Sequence, residues 1–372
     1  MSEADTQQSG NPPLHCAGFR RWTLRNIWPY LKAVSSSIHL HGFEHSAVQS
    51  AKKDGGVVIV WASRLSDLLL KQCETEAIPL WRIEDGFLRS VGLGSNFDAP
   101  WSLVIDKRGI YYDPNRPSDL EHILNQGDFS EREKEQAQTL MTLMTQSRIS
   151  KYNLDQREAQ NLSLPQDKKI IFIPGQVARD ASIRLGCIGE VKSNAQLIEK
   201  VRQNNPEAFL IYKPHPDVVA GNRPGHVNAA IIDKCIDLIL PHTNIHAIFD
   251  RCHEVHTLTS LVGFEGLLRG KDVHCYGAPF YAGWGVTHDM CKIPRRTAQR
   301  NITDLVIASL IRYPLYYDWK MKRPSGALEA AKALAANSGS RRRANTRPSY
   351  ILTQIGRLWR VITNTLLSYR LK

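Results

Sequence analysis

The chain predicts an α/β protein made of two units, each built on a parallel sheet. Its 372 residues suffice for two domains of ordinary size, and 42% hydrophobic content can fill two cores. Short apolar runs alternate with segments of helical spacing, the order of βαβ units. Three groups of chemistry-bearing residues each fall directly after an apolar run. That is the carboxyl end of a strand, where open α/β sheets hold ligands.

Residues 1–15 read as disordered, within a basic amphipathic segment spanning 1–50. VVIVWA (57–62) is a short buried strand, followed by a helix over 65–76. The strand 79–83 runs into Glu84-Asp85-Gly86. Residues 103–105 and 110–112 read as a hairpin around DKRG (106–109), and 118–126 and 130–147 as helices; together these make an N-terminal unit over 51–155. The polar stretch 153–166 reads as a linker. A second unit over 165–300 begins with KIIFIP (169–174) and continues with strands at 208–213, 236–240, 254–257 and 272–275. Within 301–337, the helix 301–313 is of the kind that crosses back and ties two domains together. Residues 338–346 read as a basic tether to a terminal helix, and 338–372 as a basic amphipathic tail. No repeat at a fixed period is visible.

The net charge is +12, and its placement is informative. Residues 16–40 hold Arg20, Arg21, Arg25 and Lys32 without an acid. Residues 338–372 hold Arg341, Arg342, Arg343, Arg347, Arg357, Arg360, Arg370 and Lys372, again without an acid, and the two segments account for the whole excess. Both interleave cations with apolar residues at helical spacing: Phe19, Trp22, Ile27, Trp28 and Leu31 in one, Ile351, Ile355, Leu358, Trp359, Ile362, Leu366 and Tyr369 in the other. Such helices suit an anionic membrane surface; the plainer reading is that each packs on the protein and turns its charges to water. Nucleic acid is not expected as a partner, because the body of the chain offers no basic groove.

No run approaches the ~18 apolar residues of a membrane span. The opening MSEADTQQSGNPPLHC is not the pattern of a secretory signal. Seven cysteines without a CxxC pair read as reduced thiols in the cytoplasm. Cys252, His253 and His256 lack zinc-type spacing, and no DxD signature is evident, so no metal and no cofactor are expected.

The first chemical group is EDGFLRSVGLG (84–94). One carboxylate, Glu84 or Asp85, can act as acid or base, and Arg89 can hold a substrate carboxylate. The alternative is that Asp85 pairs with Arg89. The second is GQVARDASIRLG (175–186), which sets Gln176, Asp180 and Ser182 towards a cleft; Asp180 is a nucleophile, a base or merely a helix N-cap. The third is YKPHPD (212–217), where two prolines fix His215 in an extended turn beside Lys213, suited to a phosphate.

A fourth stretch, 257–289, supplies Thr259, Ser260, Gly263 and Glu265 at a helix N-terminus, then a loop of Gly277, Pro279, Gly283, Trp284 and Gly285. Helix N-termini bind phosphate, and Glu265 can accept from ribose hydroxyls or simply favour the helix dipole. Arg295-Arg296 reads either as charge near phosphates or as a surface pair.

At these motifs the sequence resembles the capsule polysaccharide biosynthesis family, the bacterial retaining β-Kdo transferases of the Kps type. The matching segments are EDGFLRSVGLG, GQVARDASIRLG, KPHPDV and TSLVGFEGLLRGKDVHCYGAPFYAGWGVTHD, in family order over about residues 55–320. The resemblance implies a GT-B-like fold, two Rossmann-like domains facing across a cleft. It implies CMP-Kdo as donor, a lipid-linked or Kdo-terminated acceptor, and retention of configuration. It maps the nucleophile onto Asp180 and the CMP contacts onto Lys213, His215, Ser260 and Glu265. It also implies a cytoplasmic protein, peripheral on the inner membrane, working beside other capsule polysaccharide biosynthesis and transport proteins. A single module where the best-known capsule enzymes carry two implies one linkage, or a partner. Trp61-Ala62-Ser63-Arg64 departs from the glycine-rich turn expected there. Rival readings are transfer of another CMP-activated acidic sugar, transfer onto lipopolysaccharide core, and a non-catalytic glycolipid-binding module.

Overall fold

The computed structural model describes residues 11–90, 99–149 and 164–341. The GLG end of the first motif, most of the expected linker and nearly all of the basic tail lie outside them.

The described residues form two sheets. The first contains β1 (Leu14–Ala17), β2 (Ile38–His41), β3 (Val57–Trp61), β4 (Leu80–Asp85), β5 (Ser102–Asp106), β12 (Pro314–Asp318) and β13 (Arg323–Ser325), in the order β13-β12-β5-β4-β3-β1-β2. Strands β2, β1, β3 and β4 are parallel, whereas β5, β12 and β13 add antiparallel pairs. The second contains β6 (Ile170–Pro174), β7 (Phe209–Lys213), β8 (Leu238–Ile239), β9 (Glu254–Thr257), β10 (Asp272–Cys275) and β11 (His288–Asp289), in the order β11-β10-β9-β6-β7-β8, all parallel. This is the two-unit α/β architecture expected from the alternation of strands and helices.

Two expectations are corrected, and of the two readings of the N-terminal basic helix the packed one holds. Leu14–Ala17 is a buried strand between β2 and β3, not disordered chain. Four residues buried on both faces leave no periodicity to read. The basic helix Arg21–Val34 turns Leu24, Ile27, Tyr30 and Leu31 onto the first sheet, where they meet Leu14, Ile59, Trp81 and Leu103. Its apolar face is therefore spent on the protein, and Arg21, Arg25 and Lys32 face water. Finally, residues 110–112 form no strand, because β5 already pairs β4 on one edge and β12 on the other. The Asp106 carboxylate instead accepts from the N–H groups of Arg108, Gly109 and Asp119, turning the chain into the helix Asp119–Gln126.

The return of the chain binds the units. After the helical stretch Ile302–Val306, continued over 307–312, β12 and β13 rejoin the first sheet. The helix Ala327–Arg341 then packs on Glu131–Gln146. One apolar core runs through both units, from Phe87 and Val104 to Phe172, Phe264 and Trp284. All seven cysteines are free and buried. Among the described residues, no helix is long and apolar enough to cross a membrane.

An ion cluster that is buried at Glu121 and Arg296 and reaches the surface at Arg295 locks this arrangement. Glu121 accepts from Arg295 Nε at 2.8 Å and from Arg296 Nε at 3.2 Å. Arg296 also donates to the carbonyls of Pro279 and Ala282. Arg295-Arg296 is thus an interdomain brace; it is neither a phosphate site nor a loose surface pair. Removing one partner of a buried pair strands the other charge. Glu121→Gln is expected to cost roughly 3–5 kcal/mol in urea unfolding. A change below about 1 kcal/mol, the scale of an exposed pair, would refute the brace.

Candidate active site

The carboxyl ends of β6, β7 and β9 deliver three of the four motifs to one place. Pro174 ends β6, and the chain turns through Gly175 and Gln176 to Asp180. Asp180 holds the N-cap position of the short helix Ala181–Gly186, yet its side chain makes no cap bond. Its carboxylate accepts from Ser182 Oγ at 3.1 Å and lies 3.7 Å from Arg223 Nη2. The side chain is 47% exposed. It is therefore a reachable carboxylate that local helix chemistry does not consume.

Lys213 ends β7 and is only 6% exposed. Its Nζ donates to the carbonyls of Pro241 at 3.2 Å and Leu240 at 3.5 Å. Burial without a carboxylate partner lowers its pKa from 10.5 to about 8. Two residues on, His215 Nδ1 accepts from the Asp217 N–H at 3.1 Å, which leaves the proton on Nε2. Burial lowers the His215 pKa; Asp217 and Asp180 oppose this, while Arg223 and Lys213 add to it. At neutral pH His215 is thus an uncharged N–H donor. Asp180, Lys213, His215 and Arg223 lie within one electrostatic neighbourhood, and an anion placed there would meet two cations and one donor.

The loop after β9 is organised by Gln176. Its Oε1 accepts from the Thr259 N–H at 3.0 Å, and its Nε2 donates to Thr259 Oγ1 at 3.0 Å. Its backbone is clasped by the Asn194 amide at 3.1 and 2.7 Å. The Gln176 side chain and Thr259 are therefore committed to each other, joining two cleft loops, where the sequence suggested donor contacts. Ser260 caps the helix Leu261–Leu267 by accepting from the Val262 N–H. A Cβ on Gly263 would lie 2.2 Å from the Tyr281 hydroxyl, so this glycine admits the tyrosine and not a ligand. Glu265 is buried beside Arg269.

The opposite wall comes from the end of β4. Asp85 Oδ2 accepts from Arg89 Nε at 2.7 Å, and Arg89 is 7% exposed. The two charges serve each other, so Arg89 is not positioned as an open carboxylate clamp. Asp85 Oδ1 is buried without a hydrogen bond among the described residues. Glu84 remains oriented towards polar donors: Oε2 accepts from the Tyr112 hydroxyl and the Ser63 N–H, each at 3.3 Å, and Oε1 from the Asp85 N–H.

Tyr112 links the walls. Its hydroxyl pKa is raised by burial, then by the charge of Glu84, with Asp180 contributing from the other side. Tyr112 and Arg223 lie outside the sequence motifs, and the sequence pattern predicts Tyr112 in a strand. Arg223 sits in AGNRPG, a Gly/Pro-rich loop whose Pro224 carbonyl accepts the Ala178 N–H at 2.9 Å. That loop composition next to YKPHPD was the available signal.

The aromatic loop is part of the apolar core. Trp284 is fully buried and donates to the Phe280 carbonyl at 2.8 Å. Gly283 adopts φ +81°, a left-handed conformation that favours glycine. Phe280 packs against Phe87 with ring centroids 4.6 Å apart and the planes tilted by 42°, so the loop also joins the two units.

Known proteins are similar to this chain over most of its length. The family described as capsule polysaccharide biosynthesis protein matches residues 57–317. The capsule polysaccharide modification protein LipA of Neisseria meningitidis serogroup A is 39% identical over 332 residues, 89% of this chain and 47% of LipA. The lipopolysaccharide-processing protein LpsZ of Rhizobium meliloti is 40% identical over 242 residues, 64% of this chain and 55% of LpsZ. The chain thus spans about half the length of the curated relatives it matches. Among solved structures, the KpsC β-Kdo 2,7 transferase of Thermosulfurimonas dismutans superimposes with TM-score 0.71 at 34% identity, covering 87% of this chain and 99% of that one. The β-Kdo 2,4 transferase of the same KpsC gives 0.75 at 28% identity, covering 87% and 98%.

Proposed function

Because the chain belongs to the capsule polysaccharide biosynthesis family, we propose that it is a GT-B-type glycosyltransferase that moves Kdo from CMP-Kdo to a lipid-linked or Kdo-terminated acceptor with retention of configuration. The observation that carries this reading is the exposed Asp180 carboxylate beside Lys213, His215 and Arg223, with Glu84 and Tyr112 on the facing wall.

Retention needs two displacements or their equivalent, and here the two-step route is the one the site favours. Asp180 attacks the anomeric carbon, the bond to the CMP phosphate breaks, and a glycosyl ester forms on Asp180. The phosphate gains charge as it leaves, and Lys213, His215 Nε2–H and Arg223 stabilise that charge. The acceptor hydroxyl then attacks the same carbon, its proton passes to Glu84, and the Asp180 carboxylate is released. Asp85 is the poorer candidate, because its Oδ2 is already taken by Arg89 Nε at 2.7 Å. Ser260 and Glu265 line the ribose side. The acceptor's lipid would place the protein at the cytoplasmic face of the inner membrane, beside other capsule proteins, with the basic tail at the anionic surface.

The test is acceptor-dependent CMP release from CMP-Kdo. Glu84→Gln is expected to slow release roughly 10²-fold while leaving CMP affinity unchanged. Asp85→Asn, by contrast, is expected to show up first as lost stability. Absence of CMP release by well-folded wild type over a panel of Kdo acceptors would sink the reading.

A further inference from the structure

Strands β9, β10 and β11 carry histidines in register. His256 pairs with His274, and His274 with His288, across three parallel strands. Their rings stack at 4.2 and 4.4 Å. Glu254 precedes His256 by two residues and so shares its face of the sheet. Glu254 Oε2 lies 2.9 Å from His256 Nε2 and 3.8 Å from His274 Nε2. One ligand atom from each of the three lies within 4.8 Å of the others.

We propose that Glu254, His256 and His274 form a zinc site on strands β9 and β10 of the second sheet, with a structural role separate from the transfer cleft. The inference does not rest on the transferase reading.

Two imidazoles and a carboxylate are a donor set that zinc favours, at about 2.0–2.2 Å. Both Nε2 atoms already point to one place, the position of Glu254 Oε2. An ion near that position requires the rings to splay from their stack and the ligands to close by about an ångström. A supporting partner is in place: the Tyr276 hydroxyl lies 3.2 Å from His256 Nδ1 and would orient the ring once Nε2 binds an ion.

Lys169 opposes binding, since its Nζ sits 2.8 Å from Glu254 Oε1. It holds the oxygen that zinc would not use, and its side chain is 52% exposed and can swing to water. His288, exposed beside His274, or a water completes four-coordination. A second histidine group lacks this convergence: His15 turns Nδ1 to His41 and Nε2 to Asp54, so no single point is shared.

The ion would tie β9 to β10. These strands feed the loops at Thr257–Ser260 and Gly277–Gly285, so occupancy would stiffen two walls of the cleft from behind. Sequence spacing could not reveal the site, because 254, 256 and 274 come together only through strand pairing.

The test is titration of the chelator-stripped full chain with Zn²⁺ and with Co²⁺. One ion per chain is expected, with a higher Tm and a cobalt absorption band. His274→Gln is expected to weaken binding by about 100-fold and Tyr276→Phe by about 10-fold, whereas His41→Gln leaves it unchanged. No stoichiometric binding, or binding that His274→Gln leaves unaltered, would overturn the site. Should that variant unfold, the zinc X-ray absorption of wild type decides: nitrogen and oxygen ligands support the site, and a thiolate ligand overturns it.

Discussion

Asp180→Ala is expected to reduce acceptor-dependent CMP release by roughly 10⁴-fold or more, the scale for loss of a covalent nucleophile. The fold should survive. The carboxylate is half-exposed, makes no cap bond and touches only Ser182 and Arg223 among the described residues. Donor affinity should change little, because the phosphate partners remain. Intact-protein mass spectrometry of wild type with CMP-Kdo and no acceptor should reveal a glycosyl adduct that the variant lacks. If the variant keeps a tenth of the activity, or only KM rises, Asp180 merely orients Arg223 and the double-displacement mechanism falls.

The second large effect concerns Lys213. Lys213→Met should lower kcat/KM about 10³-fold, because a buried ammonium aimed at a departing phosphate acts on charge that develops in the transition state. The same substitution should leave the free protein as stable or more so, since it removes a buried charge faced only by carbonyls. The pH dependence follows from the sign of the shift. The folded pKa, about 8, lies below the unfolded 10.5, so the unfolded chain binds more protons between these values. The penalty for burying the ammonium is present in full below about 8 and is relieved as pH rises towards 10.5. Its size is roughly 3 kcal/mol. A phosphate in the site favours the charged form, so CMP binding at pH 8.5–9 should take up a proton. Calorimetry in buffers of different ionisation enthalpy measures that uptake, and the variant should abolish it. No uptake by wild type would mean that Lys213 does not face the phosphate.

These two residues were legible in the sequence because their chemistry is local. YKPHPD places a lysine and a proline-bracketed histidine at a strand end, and GQVARD places an aspartate after another. A parallel sheet gathers its carboxyl ends along one edge. Glu84-Asp85 was legible as a pair, but which of them is engaged was not. That depends on Arg89 folding back onto Asp85, and on Tyr112 reaching Glu84 from a segment that would have been a strand had β5 kept a free edge.

The sequence by itself determined the two-unit α/β architecture, the strands that end in chemistry, and the family. Each is written in runs of a few adjacent residues, where hydrophobic period, proline and glycine act directly on the backbone. Tertiary structure decided what each polar group faces. It turned Gln176 and Thr259 into a joint between loops, Arg295-Arg296 into a brace on Glu121, and the apolar side of Arg21–Val34 into core. It also gathered Glu254, His256 and His274. The physical reason is common to all of them: a charge or apolar face takes its role from the partner that folding brings to it, and here those partners lie far along the chain or on a neighbouring strand.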